Sequence, residues 1–288
     1  MRALPRFTPA DLLAAVNRTL APAGAAAALV LELTRFEQSA GRALVWHRPK
    51  APPRAGLSVA GIIVLVEGFD RPAVSAASAA ALDLRFWPGG ARELARAHGH
   101  VRVFEAAPAL GADFDHNHDR AAALTAVAAA VAGLVTAPGV VWESSSMGLP
   151  ARALSTAVAQ LRQGGAPAAL WVSAAGVGAG AGAAGGVATR GLYPLLGAEV
   201  EVRAPGLARA EAERLAMDLA AEILETGRPP AEGSALDQSG QGGAHGRAHG
   251  APHARLRVRY RDAEAGGLPA VLLEEDGAGA PPLAAGAA

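Results

Sequence analysis

The sequence contains no cysteine among its 288 residues. Disulfides, cysteine-ligated zinc sites and cysteine nucleophiles all need a thiol, so these three kinds of chemistry are excluded. Lysine is almost missing as well, since Lys50 is the only one and arginine carries the rest of the basic charge. The lack of disulfides favours a cytoplasmic location, which we take as the expected one.

Charge of one sign is not in excess. The 26 Lys and Arg residues balance 26 Asp and Glu residues, which gives a formal net charge of zero. A nucleic-acid-binding protein normally needs a basic excess to neutralise phosphates, so we expect no nucleic-acid partner. Aromatic residues make up only 4% of the chain but hydrophobic residues 51%, which predicts a globular core built mainly from alanine, leucine and valine.

One uncharged stretch, residues 121–142, is long enough to cross a bilayer. Its hydrophobicity is mostly alanine, and Pro138-Gly139 interrupts a helix before the span is complete. Leu124, Val127, Val131 and Leu134 form a single apolar stripe at helical spacing, which is typical of a helix packed on a sheet. We therefore expect a buried helix in a soluble protein, without a membrane or a secretory signal.

Hydrophobic periodicity and turn residues predict helices and strands along the whole chain. Helices are predicted from residue 8 to about 20, from 70 to 81, after the turn at 87–90, over the alanine-rich stretch from 121, and over 149–163 and 209–226. Strands are predicted over 28–34, 59–66, 100–105, 140–142, 168–172, 198–202, 256–260 and 271–273. The strand at 59–66 is nearly continuous in valine and isoleucine, so we expect it to be central and covered on both faces.

Several of these strands follow one another without a helix between them. This order favours an α+β fold, with a mixed, largely antiparallel sheet packed by several helices in a single main domain. We predict the main domain over 1–228, a flexible Gly/Ser/His-rich loop over 229–253, a C-terminal strand pair packing on the main domain over 254–276, and a frayed tail over 277–288.

A series of short motifs runs through the second half of the chain. In order, they are His98-x-His100-Val101-x-Val103, Gly139-Val140-Val141-Trp142, Ala169-Leu170-Trp171-Val172, Thr189-Arg190-Gly191-Leu192 and Gly197-Ala198-Glu199-Val200-Glu201-Val202. Their order and spacing resemble the bacterial family catalogued as domain of unknown function 4261, over about residues 57–240. The resemblance implies a soluble bacterial α+β domain and brings no activity, ligand or catalytic residue with it. The segments 176–186 and 243–253 depart from it.

The best candidate metal site combines a strand with the loop expected to follow it. Residues two apart on a strand share a face, so His98 and His100 could present two imidazoles together. Two histidines and a carboxylate suit zinc, or iron with open positions. The alternative is that Asp115 or Asn117 caps the long helix and the histidines are ordinary polar neighbours. The candidate ligands are His98, His100, Asp115, His116 and His118, with Asp113 and Asp119 nearby.

Three other patterns resemble functional motifs but favour structural interpretations. Residues 180–185 match the dinucleotide pattern G-x-G-x-x-G, yet no helical pattern follows, and a chain with 35 glycines is expected to contain such a match by chance. The serines at 144–146 lie between a strand and a helix, as a hydrolase nucleophile would, but the flanking glycine pattern is incomplete. His245, His249 and His253 repeat every fourth residue among glycines that oppose a helix, which predicts a solvated linker or a loose metal-binding loop.

No set of residues joins a nucleophile, a base and an orienting group at a plausible spacing. The sequence therefore predicts a non-enzymatic binding or interaction domain, with an unknown protein or small molecule as partner and no cofactor. The alternative is a hydrolase in which a divalent metal such as zinc, held by the cluster at 98–119, activates water.

Overall fold

The computed structural model of the chain describes residues 7–21, 30–31, 54–69, 71–72, 75–106, 113–177, 186–236, 256–262 and 268–275. These residues form an α+β fold with mixed, largely antiparallel sheets and several helices, as predicted. They belong to two compact units: unit 1 comprises residues 1–173 and 194–196, and unit 2 comprises residues 174–193 and 197–288. The domain limits expected from the sequence, with a main domain over 1–228, stay a prediction.

Unit 1 contains a four-stranded antiparallel sheet with the strand order β1-β2-β3-β4. The strands are β1 (Val30–Leu31), β2 (Arg54–Val59), β3 (Ile62–Phe69) and β4 (His100–Glu105). The single strand predicted over 59–66 is wrong at its start, because Ala60 and Gly61 form a two-residue turn between β2 and β3. Both have positive φ, 49° and 83°, which is the geometry of a tight hairpin. β3 itself is central and largely buried, as expected.

Six helices and a short hairpin complete the described part of unit 1. The helices are α1 (Pro9–Leu20), α2 (Ala76–Ala80), α3 (Gly90–Arg96), α4 (Phe114–Val135), α5 (Arg152–Arg162) and α6 (Ala168–Trp171). The hairpin pairs β5 (Gly139–Trp142) with β6 (Met147–Pro150), and a 3-10 turn at Glu143–Ser145 joins them. The core forms where α1 and α4 pack beside the sheet, and it includes Leu12, Val16, Leu57, Val64, Val66, Val127 and Val131.

The helix α1 begins as the sequence predicts. Thr8 is its N-cap, Pro9 stands at the first helical position, and the Thr8 hydroxyl accepts a hydrogen bond from the backbone N–H of Asp11. In return the Asp11 carboxylate accepts hydrogen bonds from the Thr8 hydroxyl and from the Thr8 backbone N–H. These bonds, the one from the side chain first, lower the pKa of Asp11. The cap therefore holds the carboxylate in its ionised form at the positive end of the helix.

Two predicted helices differ from the structure in their limits, and one predicted strand is a helix. The helix predicted from 149 starts at Arg152, because Met147–Pro150 pairs with β5 instead. The helix predicted from 70 is described only at Ala76–Ala80, after the N-cap Ser75. The predicted strand at 168–172 is wrong: its residues form α6, where the backbone N–H of Trp171 donates to the carbonyl of Pro167. Leu170 and Trp171 are both buried, and a short buried apolar run fits a helix as well as a strand, so the sequence pattern alone does not distinguish them.

Unit 2 is built on a six-stranded sheet with the order β10-β11-β12-β9-β8-β7. The strands are β7 (Ser173–Val177), β8 (Gly186–Arg190), β9 (Glu199–Arg203), β10 (Ala235–Leu236), β11 (Leu256–Arg261) and β12 (Ala270–Glu275), and the helix of this unit is α8 (Arg209–Thr226). The short helix α7 (Tyr193–Leu196) begins with Tyr193 of unit 2, and its other three residues belong to unit 1. β12 runs parallel to β9, whereas β8 and β11 run antiparallel to their registered neighbours. The predictions of α8 and of the final strand pair are confirmed. Most of the predicted loop at 229–253, residues 178–185 and the tail at 277–288 lie outside the described residues.

The long helix α4 is the one helix in the described ranges that is long and apolar enough to cross a membrane by length and composition. It packs against α1, α5, β3 and β4. Val127 and Val131 are buried in the core of unit 1, and Leu124 and Leu134 are partly buried beside it, which confirms the predicted apolar stripe. A core helix satisfies the same length and composition test, so the packing accounts for its apolar sequence.

A second small core lies around Trp87, which packs with Ala79 and Leu94. Two glycines make this packing possible. A Cβ atom added at Gly139 or at Gly90 would overlap the indole ring of Trp87. At Gly139 the added atom would also lie 2.6 Å from the carbonyl oxygen of Leu149, so the backbone could not move aside easily.

We expect Gly139→Ala to lower the free energy of unfolding by about 1–3 kcal/mol, the usual cost of overpacking a core. The matched control is Gly133→Ala in α4, where an added Cβ meets nothing within 4 Å. Alanine favours a helix over glycine, so the control should raise stability by about 0.5–1 kcal/mol. Urea denaturation followed by circular dichroism measures both changes, and equal midpoints for the two variants would contradict the packing described around Trp87.

Candidate functional site

The predicted histidine cluster is divided between two elements of unit 1. His98 is exposed just before β4, and His100 is the first residue of that strand. The His100 ring stacks on Phe69 with centroids 4.6 Å apart, and its Nδ1 atom lies 2.7 Å from the carbonyl oxygen of Arg71. The Arg71 guanidinium also lies 5.7 Å from the centre of the Phe69 ring. His100 thus joins the strand end to the segment after β3.

The other candidate ligands lie in the first turns of α4, and not in a loop as predicted. The N-cap is Asp113, neither Asp115 nor Asn117, and its carboxylate accepts a hydrogen bond of 2.9 Å from the backbone N–H of His116. Asp115 is exposed. The Nε2 atom of His116 is buried without a hydrogen-bond partner. Residues two apart on a helix point to different sides, so His116 and His118 do not face one site.

The ring of His118 packs on Trp171, the most deeply buried aromatic residue among those that the structure describes in unit 1. It meets the edge of Trp171 at 5.2 Å, and it lies 5.9 Å from the Phe114 ring. Trp171 is fully buried and donates its indole N–H to the Thr125 hydroxyl at 2.9 Å. The hydroxyl donates in turn to the carbonyl of Ala121 one turn earlier. These contacts place His118 in the packing of α4 against α6.

Two further polar residues of α4 tie the helix to a distant part of unit 1. Asn117 donates from Nδ2 to the carbonyl of Leu195 at 3.3 Å, and Arg120 donates to the carbonyl of Pro194 at 2.8 Å. Arg120 also lies 3.7 Å from the carboxylate of Glu105 at the end of β4. Both hydrogen bonds satisfy backbone carbonyls of the 194–196 segment, which explains why polar residues occupy a helix face that packs inward.

No group of three or more histidines, aspartates or glutamates within the described ranges is arranged to hold a metal ion. The structure therefore does not bring His98, His100, Asp115, His116 and His118 together as ligands. A zinc site at these residues stays an untested alternative to the expectation of no cofactor. The three histidines at 245, 249 and 253 and the glycine-rich match at 180–185 lie outside the described residues.

The serine turn makes structural contacts. Ser145 is buried, and its hydroxyl donates to the carbonyls of Trp142 and Leu170 at 3.3 and 3.4 Å. Its own carbonyl accepts a bond of 2.6 Å from the Ser173 hydroxyl. Ser146 ends the 3-10 turn with φ of 54°. These partners are backbone groups and another serine, so the contacts fix the hairpin of β5 and β6 and do not activate a nucleophile.

In unit 2, the buried carboxylate of Glu199 accepts four hydrogen bonds, three of them from backbone N–H groups. Glu199 accepts hydrogen bonds from the backbone N–H groups of Gly191, Leu192 and Tyr193 at 3.0 to 3.2 Å. It accepts a fourth, of 2.6 Å, from the hydroxyl of Thr189. Four donors satisfy a buried carboxylate, so Glu199 holds the turn between β8 and α7 in place.

The most distinctive surface of unit 2 is a set of arginines on one side of its sheet. The first four residues of β11 alternate: Leu256 and Val258 are buried, whereas Arg257 and Arg259 are exposed. In the register of the sheet, Arg257 is opposite Glu274 and Glu274 is opposite Arg203. We call the side chains of Arg203, Arg257, Arg259 and Arg261 the arginine face. The sequence signal for it is the alternation Leu-Arg-Val-Arg-Tyr-Arg, which by itself predicts a strand and not a contact surface.

Glutamates hold three of these arginines. Glu201 is buried and binds two of them, Arg203 at 2.6 Å and Arg261 at 2.8 Å. Glu274 lies 3.4 Å from Arg259. The side chains of Arg259 and Arg203 remain 59% and 46% exposed, so their guanidinium groups are both positioned and open to solvent. Positioned, exposed guanidinium groups are suited to binding carboxylates or phosphates.

A hydrogen bond from Tyr260 holds the end of β11, the strand that carries three of the four arginines. The hydroxyl of Tyr260, on the other side of the strand, donates to the carbonyl of Pro230 at 2.6 Å. Burial, and then the charge of Glu232, raise the pKa of Tyr260. This bond ties β11 to the segment that follows α8.

Comparison with known proteins gives no functional lead, because no family model, curated protein or solved structure matches the chain significantly.

We expect Thr125→Val to lower the free energy of unfolding by about 1–3 kcal/mol, because the buried indole N–H of Trp171 loses its acceptor. Thr125→Ser is the matched control, since it keeps the hydroxyl and loses one methyl group, at a cost of about 0.8 kcal/mol. Urea denaturation monitored by circular dichroism compares the two. A valine variant as stable as the serine variant would show that the Trp171 hydrogen bond contributes nothing.

Elemental analysis of the purified chain tests the zinc prediction. Because the described residues form no ligand group, we expect only substoichiometric zinc and an unchanged Tm after treatment with EDTA. A variant with serine at 245, 249 and 253 removes any loose binding by those histidines. Stoichiometric zinc that survives in this variant and is lost in His98→Ala/His116→Ala would instead establish the predicted metal site.

Proposed function

We propose that the protein is a binding or interaction domain, with the arginine face of unit 2 as its contact surface. The observation that carries the proposal is the exposure of Arg257 and Arg259 on β11, in a face of which glutamates position three members. Ordering a long side chain before binding reduces the conformational entropy lost on association. A surface with this property favours recognition of a partner.

The residues with potential chemistry support binding over catalysis. Ser145 and Glu199 make hydrogen bonds that satisfy backbone groups, and His100 is engaged by a ring and a carbonyl. A hydrolase needs a nucleophile or activated water next to a base, and these contacts supply neither. A cytoplasmic location and membership of the bacterial family resembled by the sequence are part of the same proposal.

Selection from a displayed random peptide library tests the binding proposal. The wild-type chain should enrich a related set of peptides. The double variant Arg257→Glu/Arg259→Glu should lose that enrichment, because both side chains are exposed on the proposed surface. The matched control is Arg92→Glu/Arg96→Glu, which makes the same change of net charge at two exposed positions of α3 in unit 1.

If the control variant also fails to enrich these peptides, overall charge and not the arginine face governs binding. Enrichment that survives in Arg257→Glu/Arg259→Glu would place the contact surface elsewhere. Circular dichroism and thermal melting of each variant must first show that the fold is intact. Either of the two results would overturn the proposal as stated.

A further inference from the structure

We infer that the partner of the arginine face is an acidic polypeptide segment, extended along β11, whose carboxylates occupy alternate positions. This inference rests on the proposed function and names the chemistry of its partner. Arg257, Arg259 and Arg261 occupy every second position of one strand and share one side of the sheet. The three side chains therefore form a straight row and not a scattered patch.

The spacing of that row matches an extended peptide. Alternate residues of a strand are about 6.6–6.8 Å apart, so the three arginines repeat at this distance. An extended segment with acidic residues at every second position repeats its carboxylates at the same distance. The exposed guanidinium groups of Arg257 and Arg259 can then each meet one carboxylate in the paired, two-hydrogen-bond geometry that arginine favours.

The neighbouring glutamates leave capacity for such a partner. Arg259 and Arg203 contact Glu274 and Glu201, yet their side chains remain 59% and 46% exposed. A guanidinium has five N–H donors, and the contact of Arg259 with Glu274 runs through its Nε atom at 3.4 Å. The guanidinium group of Arg259 therefore keeps further N–H donors for a partner.

The mixture of signs favours a polypeptide over a nucleic acid. A phosphate backbone carries negative charge at every nucleotide, so it would meet the carboxylate of Glu274, whose side chain is 34% exposed, as well as the arginines. An alternating peptide can place a neutral or basic residue opposite Glu274. Charge complementarity thus selects an acidic, interrupted segment.

Fluorescence anisotropy with defined probes tests this inference on the full chain. The first probe is a labelled peptide of alternating Glu and Thr. The second has the same composition with its glutamates in one block, and the third replaces each Glu by Lys. Oligo(dT) of equal charge and vesicles of anionic phospholipid complete the set. The alternating acidic peptide should bind most tightly, and added salt should weaken its binding because the contacts are charged.

Charge reversal provides the decisive comparison. Arg257→Glu/Arg259→Glu should weaken binding of the alternating acidic peptide at least about tenfold, and it should create binding of the Lys peptide. The milder Arg257→Gln/Arg259→Gln should weaken the acidic peptide without gaining the Lys peptide, and it guards against misfolding of the reversed variant. Arg92→Glu/Arg96→Glu should leave both affinities unchanged.

The outcomes separate this inference from the proposed function. If oligo(dT) or the vesicles bind as tightly as the alternating peptide and depend on the same arginines, the acidic-peptide inference is wrong and the binding surface stands. If the block peptide binds as tightly as the alternating one, the spacing argument is wrong. If no probe depends on Arg257 and Arg259, both the inference and the proposed contact surface fail.

Discussion

Unit 2 depends on satisfying two glutamates that are buried on the same side of β9. A buried carboxylate is stable only when its oxygens are hydrogen-bonded or paired with positive charge. Glu199 meets this requirement with the backbone of the turn before α7, and Glu201 meets it with Arg203 and Arg261. The hydrogen bonds of Glu199 fix a turn, and the ion pairs of Glu201 fix the position of two arginines. The positions of Arg203 and Arg261 in the arginine face therefore follow from the burial of Glu201.

The contact between Arg261 and Glu201 also explains the small residue on the strand between them. In the register, Ala270 of β12 is opposite Arg261 on one side and opposite Glu199 on the other. A long side chain at this position would occupy the space through which Arg261 reaches across β12. Alanine leaves that space open, so a residue that appears featureless in the sequence has a definite structural role.

Much of the fold could be predicted from the sequence where one local signal dominates. The limits of α8 and β4 follow from strong periodicity and agree with the structure. The errors arise where a short-range feature competes with a hydrophobic run. The turn at Ala60-Gly61 is hidden inside a run of valine and isoleucine. The short apolar run of α6 fits a buried strand as well as a helix, and backbone hydrogen bonds to the carbonyls of Pro167 and Ala168 make it helical. Neither competition can be decided without tertiary contacts.

The candidate site was less accessible to sequence reasoning. Histidines attract attention as metal ligands, but His116 and His118 start a helix and point to different sides, which a loop assignment conceals. The arginine face has a visible pattern, yet its meaning depends on Glu201 and Glu274, which lie on other strands and become neighbours only through the register. The zero net charge of the chain also gives no sign of the arginine face, because composition does not say where charges lie on the surface.

The parallel pairing of β12 with β9 has a consequence for synthesis of the chain. β9 emerges well before β11 and β12, so during that interval its free side is an unprotected sheet edge. During the same interval Glu201 lacks Arg261, and the row of arginines does not yet exist. Unit 2 therefore cannot close its sheet until the last strands have been made. A chain cut short before β11 would expose β9 as a template for pairing with another copy.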